Sequence, residues 1–82
     1  MSRPAISEAL LHARAVQAAR RMIARGERPG YRLLLGDDGR WRVDGLPGIS
    51  VAALDRHAAS TTIRSTIARA LDVDPITFDV DP

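Results

Sequence analysis

Cysteine is absent from this 82-residue chain. Neither a disulfide framework nor a thiolate zinc site can therefore staple it, and the expected compartment is a reducing one, most simply the cytoplasm. Lysine is absent too, and all twelve basic residues are arginine. That composition suits bidentate recognition of phosphate or carboxylate, although GC-rich coding is the simpler explanation. Long apolar runs are missing as well: Arg14, Arg20, Arg21 and Arg25 interrupt residues 5–25, and no stretch approaches the ~20 apolar residues of a membrane span. No repeat or low-complexity segment occurs. A single short domain is left, burying only ~60–65 % of the surface its unfolded form exposes. Its stability should be modest, and an oligomer or partner is the remaining source of support.

The net charge is +2, but it is unevenly spread. Residues 1–30 carry six Arg against Glu8 and Glu27 (6 − 2 = +4), and residues 31–82 carry six Arg against eight Asp (6 − 8 = −2). A basic front and an acidic back bear on partners and orientation, not on fold.

The chain is organised around residues 40–48. Trp41 and Val43 alternate with Arg40, Arg42 and Asp44, the period-2 pattern of a strand with one buried face. Gly36-Asp37-Asp38-Gly39 before it predicts a tight hairpin with positive φ at both central residues. Gly45, Pro47 and Gly48 end it. Tyr31 to Leu35 is the preceding strand, and Leu34 on its polar face suggests that the N-terminal helix covers that face. Ile49 to Leu54 is a third, weaker strand.

Two helices frame these strands. Ser2 or Ser7 can cap the first, Pro4 suits its first turn, and Ala5 to Arg25 is rich in helix formers, with Gly26 as C-cap. Leu11, Ala15, Ala18 and Met22 form its apolar row, flanked by Ala9, Val16 and Ile23; Arg14, Arg21, Arg25 and Arg28 line the opposite side. Asp55 caps a second helix over residues 56–71, which ends before Asp74-Pro75. Ile76, Phe78 and Val80 then alternate as a last strand. The expected fold class is α+β, order α-β-β-β-α-β, with a small antiparallel sheet. Residues 1–28 form an Arg-rich amphipathic helix, and residues 29–82 a β-β-β-α-β domain.

Little in this pattern points to catalysis. His12 and His57 lie in different helices and read as isolated surface histidines, not metal ligands. Asp37 and Asp38 share a turn for local hydrogen-bonding reasons. The Ser and Thr residues of the second helix have no positioned base, and the glycines fit no phosphate cradle. The expectation is no enzyme, no cofactor and no metal. The best local candidate is the arginine line Arg14, Arg21, Arg25 and Arg28, which could follow a phosphate backbone. A solvated helix face is the alternative.

Residues 31–80 also resemble the HicB family of antitoxins. The resemblance rests on the hairpin ending in Trp41-Arg42-Val43, the turn Leu46-Pro47-Gly48, the capped helix, and Leu71-Asp72-Val73-Asp74-Pro75 followed by Phe78-Asp79-Val80. It implies a partial RNase H-like fold without the RNase H carboxylates. It also implies a role in neutralising a small basic RNA-cleaving toxin of the HicA type by covering its active surface. The C-terminal DNA-binding module of many members is absent before Pro82, and the N-terminal helix is additional to the family pattern. Under this reading the acidic residues Asp72, Asp74, Asp79 and Asp81, with the sheet edges, meet the basic toxin. A nucleic-acid-binding regulator and a structural homodimer or larger oligomer built on the alanine-rich helix are the alternatives.

Overall fold

A computed structural model describes residues 4–81. Helix α1 (Pro4–Ala24) is followed by strands β1 (Gly30–Leu35), β2 (Trp41–Asp44) and β3 (Ser50–Val51), helix α2 (Arg56–Leu71), a 3-10 turn (Pro75–Thr77) and β4 (Asp79–Asp81). The fold is α+β, in the expected element order. No helix among the described residues is long and apolar enough to cross a membrane.

The four strands form one sheet in the order β3-β2-β1-β4. It is mixed, which corrects the antiparallel expectation: β1–β2 and β2–β3 are antiparallel, but β4 runs parallel to β1 with Tyr31 opposite Val80. The reason is the connection. Helix α2 returns the chain along the sheet after β3, so β4 sets out in the direction of β1, as a helical crossover dictates.

The core lies on one face of this sheet. Tyr31 and Leu33, Trp41 and Val43, Val51 and Val80 alternate inward from the four strands. They meet the stripe Ala59, Ile63, Ile67 and Leu71 of α2, whose four-residue spacing keeps every member on one side. Each fully buried Ile or Leu there contributes about 1.5–3 kcal/mol. Phe78 fills the centre, its ring edge-on to Tyr31 with centroids 6.2 Å apart. The molecule is a two-layer plate with Cα extents of 37 × 35 × 16 Å.

Helix α2 occupies its predicted span. Asp55 accepts a hydrogen bond from the Ala58 amide at 2.8 Å, and Asp72 closes the helix in the left-handed region (φ 57) while Val73 N–H donates to the Ala68 carbonyl. Helix α1 starts at Pro4, so Ser7 lies inside it and is not its cap; Ser2 lies outside the described residues. Gly26 terminates α1 as expected, and the Glu27 amide reaches back to the Met22 carbonyl at 2.9 Å.

Five expectations change. The packed face of α1 is His12, Ala15, Val16, Ala19 and Ile23, whereas Leu11 and Ala18 are exposed. The packed stripe is rotated because small Ala19, only 4 % exposed, lets the helix lie close beside α2. α1 does not cover Leu34, which stays exposed on the sheet's outer face near the hairpin end of β1. The hairpin turn has positive φ at Gly39 alone, because Gly36 to Arg40 forms a type I turn plus bulge, closed by Gly39 N–H to the Gly36 carbonyl and Gly36 N–H to the Arg40 carbonyl. Finally, β3 pairs only through Ser50–Val51, and the last strand starts at Asp79; Ile76 falls in the 3-10 turn that Asp74 caps and stands outward.

Candidate functional site

The helices cover one face of the sheet, and the other face is bare. Inward and outward residues alternate, so the bare face carries Arg32 and Leu34 from β1, Arg42 and Asp44 from β2, Ser50 from β3, and Asp79 and Asp81 from β4. Pairing sets these in rows: Ser50, Arg42 and Leu34 lie side by side, and the next row is Asp44, Arg32 and Asp81. Leu34 is the apolar residue of this face, 44 % exposed at the end of its row, where β4 no longer pairs with β1. Arg32, between two aspartates, holds the row beside it.

Charges at two margins of this face are matched within the chain. Arg42 forks onto Asp38 with bonds of 2.7 and 3.0 Å, and the Asp38 carboxylate also accepts from the Arg40 amide. Those bonds, Arg42's first, hold the Asp38 carboxyl well below the usual carboxylate range. Arg40 in turn donates to the Ser50 hydroxyl at 3.1 Å and to the Ser50 carbonyl at 3.2 Å, tying the hairpin to β3. At the other margin Arg28 forks onto Asp79 with bonds of 2.7 and 3.2 Å, and donates to the carbonyls of Ile76 and Phe78. Its hydrogen bonds first, and then its charge, lower the Asp79 carboxyl pKa. A groove lined by Gly30, Tyr31, Arg32, Asp79, Val80 and Asp81 runs where β1 meets β4.

The arginine line separates. Arg14 and Arg21 are exposed, on either side of Ala13 and Gln17 in a shallow groove of α1, with no ion pair among the described residues. Arg25 bonds to Glu27 at 3.1 Å, and Arg28 lies beyond the helix and faces Asp79. The acidic residues also divide. Asp72 serves as the left-handed cap of α2, Asp74 accepts from the Ile76 amide to cap the 3-10 turn, Asp79 belongs to Arg28, and Asp81 stands exposed in register with Arg32. Only Asp79 and Asp81 border the bare face.

Two features lay outside the sequence reading. His12, expected as an isolated surface histidine, is instead half-buried, and its Nδ1–H donates to the Pro47 carbonyl at 2.6 Å, fastening α1 to the turn after β2. Its spacing with Val16, Ala19 and Ile23 is the signal that places it on the packed face. Arg56 lies over the Trp41 ring, 5.3 Å from its centroid, closing the sheet beside the first turn of α2. Among the described residues no three His, Asp or Glu side chains are grouped as metal ligands would be.

The chain matches no model of a known protein family, no curated protein and no solved structure.

Proposed function

We propose that this chain is a non-catalytic interaction module of the HicB-like antitoxin kind, which covers a small basic RNA-cleaving toxin with the bare face of its sheet. The observation that carries the reading is Leu34, an apolar residue exposed on an uncovered sheet face, with Arg42 beside it and the row of Asp44, Arg32 and Asp81 next to it. An exposed apolar residue bordered by charged ones is the kind of surface a protein interface uses. Support also comes from residues 30–81, which run β-β-β-α-β, the order the resemblance implies. On the β4 side the exposed Asp81 offers acid to a basic partner, whereas the Asp79 carboxylate is held by Arg28 and that of Asp74 caps the 3-10 turn. The docking surface is accordingly placed on the sheet face and its β4 margin.

The test is binding of a purified HicA-type toxin to the whole chain, read by calorimetry and by protection of RNA from cleavage. Leu34→Asp should weaken binding at least tenfold, about 1.4 kcal/mol, with circular dichroism checking that the variant is folded. No binding by the unaltered chain, or equal binding by the variant, removes the reading.

A nucleic-acid-binding regulator keeps one observation in its favour, the exposed Arg14 and Arg21 two turns apart on α1. Two phosphate contacts give a log–log salt slope near −1.8, against about −3.6 for four. A slope at the lower value that vanishes in Arg14→Gln/Arg21→Gln would establish that reading instead.

A further inference from the structure

Several charged side chains on or beside the bare face are already engaged. Arg42 is forked onto Asp38, Arg28 onto Asp79, and Arg40 donates to Ser50. Three are not: Asp44, Arg32 and Asp81 are exposed, and none of them joins an ion pair among the described residues. They are also in line. Strands β2, β1 and β4 hold them in register, so the charges run minus, plus, minus straight across the sheet. Adjacent strands lie about 4.8 Å apart, which makes the row roughly 10 Å long. Two residues along β1 in one direction stands the exposed Leu34. Two residues in the other is Gly30, with nothing within 4 Å of where a Cβ would lie, on the groove shared with Asp79 and Asp81. The row is therefore bordered by an apolar side chain on one side and by open room on the other.

We propose that this row sets the register of docking, and that it takes a partner helix laid across the strands, with a basic, an acidic and a basic residue in order on its contact side and an apolar residue beside them for Leu34. The inference rests on the bare face being a docking surface, and it adds what the partner must carry. Spacing selects a helix. Residues at i, i+4 and i+7 share one side of a helix, and at 1.5 Å per residue they span about 10.5 Å, close to the length of the row. In an extended segment the residues of one face recur about every 6.6 Å, so three of them span roughly 13 Å and fall out of step with the strands. Sign argues against the other occupants. A phosphate backbone would meet two aspartates for each arginine. A second copy of the same face sets aspartate on aspartate when the rows are superposed, and an offset of one strand leaves an aspartate of each copy unmatched. Exposed ion pairs are individually weak, but charges in a fixed order select a partner and its register more than they add affinity.

The probes are three synthetic helical peptides, alike in length and apolar residues, that carry Arg-Glu-Arg, Glu-Arg-Glu or Arg-Arg-Arg at i, i+4 and i+7. Each is titrated into the full chain and followed by the amide NMR shifts of residues 32, 44 and 81. The Arg-Glu-Arg peptide should bind at least tenfold more tightly than either of the others, about 1.4 kcal/mol, and its advantage should shrink as salt is added. A chain with the row inverted, Asp44→Arg/Arg32→Asp/Asp81→Arg, should prefer Glu-Arg-Glu instead. All three positions are exposed, and far-UV circular dichroism checks that the variant is folded. Arg32→Gln, a milder change, should by itself remove the preference for Arg-Glu-Arg over Arg-Arg-Arg. No binding by any peptide, equal binding by all three, a preference for Arg-Arg-Arg, or a preference that survives inversion of the row overturns the proposal. So do shifts of the same amides on dilution of the chain alone, which would seat a second copy there, or on addition of duplex DNA. Toxin binding that is lost in Leu34→Asp but untouched by the inverted row removes this inference and leaves the antitoxin reading standing; sign-dependent peptide binding by a chain that binds no toxin does the reverse.

Discussion

Alanine at Gly48 meets two penalties. The backbone there has φ +92, and a Cβ would lie 2.9 Å from His12 Nδ1, the atom that holds the Pro47 carbonyl. Gly39 has nearly the same positive φ (+82) but open space around it. Gly39→Ala is therefore expected to cost about 1 kcal/mol, and Gly48→Ala about 2–3 kcal/mol; urea unfolding of the pair separates backbone strain from the clash. Asp38 sets a second residue-scale expectation. Its folded carboxyl titrates below the ordinary value near 3.9, so its contribution is present above that pH and is lost as pH falls through the lower folded value. The gap in unfolding midpoint between the natural protein and Asp38→Asn should narrow from pH 7 to pH 3. At this scale the hairpin's position was readable from Asp38-Gly39, but its type was not. The bulge depends on Arg40 accepting from Gly36, and Asp38 Oδ1 is tied to Arg42, partners that local propensity does not specify.

Helix α2 is the element most fully legible from residues, because cap, stripe and stop all agree. Asp55→Ala should lower stability by about 1 kcal/mol through loss of the Ala58 bond. Asp72→Gly should raise it by about 0.5 kcal/mol, since relief of the left-handed backbone outweighs glycine's greater freedom when unfolded. Thermal unfolding measures both, and a toxin affinity unchanged in Asp72→Gly would agree with docking on the sheet face. Helix α1 was legible in extent but not in orientation. Alanines surround so much of its circumference that Leu11 and Ala18 made as good a stripe as Val16 and Ala19, and only contact with α2 decides between them. Residues 76–80 alternated, yet Asp74 and Pro75 commit Ile76 to a 3-10 turn first, and the strand is left with three residues.

As a whole, the molecule is a plate with one core layer, so a single large cavity reaches most of what holds it together. Phe78 is fully buried between sheet and α2. Phe78→Ala is expected to cost about 3–5 kcal/mol, set against about 4–12 kcal/mol for a chain of this length. Calorimetry should show the midpoint falling by 15 °C or more, at roughly 4–8 °C per kcal/mol. The direction of β4 could not be read in advance, because alternation of Phe78 and Val80 is identical for parallel and antiparallel neighbours. The bare face was half legible: alternation assigned Arg42 and Asp44 to it, but Leu34 was read as a sign that the N-terminal helix covers that side, and it stays exposed.

One more consequence belongs to β1. Its inner neighbour β2 follows within a few residues, but its outer neighbour β4 comes almost fifty positions later, with Gly30 aligned to Asp79 and Arg28 locked onto the same aspartate. During synthesis, β1 must wait with one flank unpaired until the ribosome has delivered that last strand. The interval is a window in which a nascent chain is open to wrong partners, and it closes when Arg28 captures Asp79.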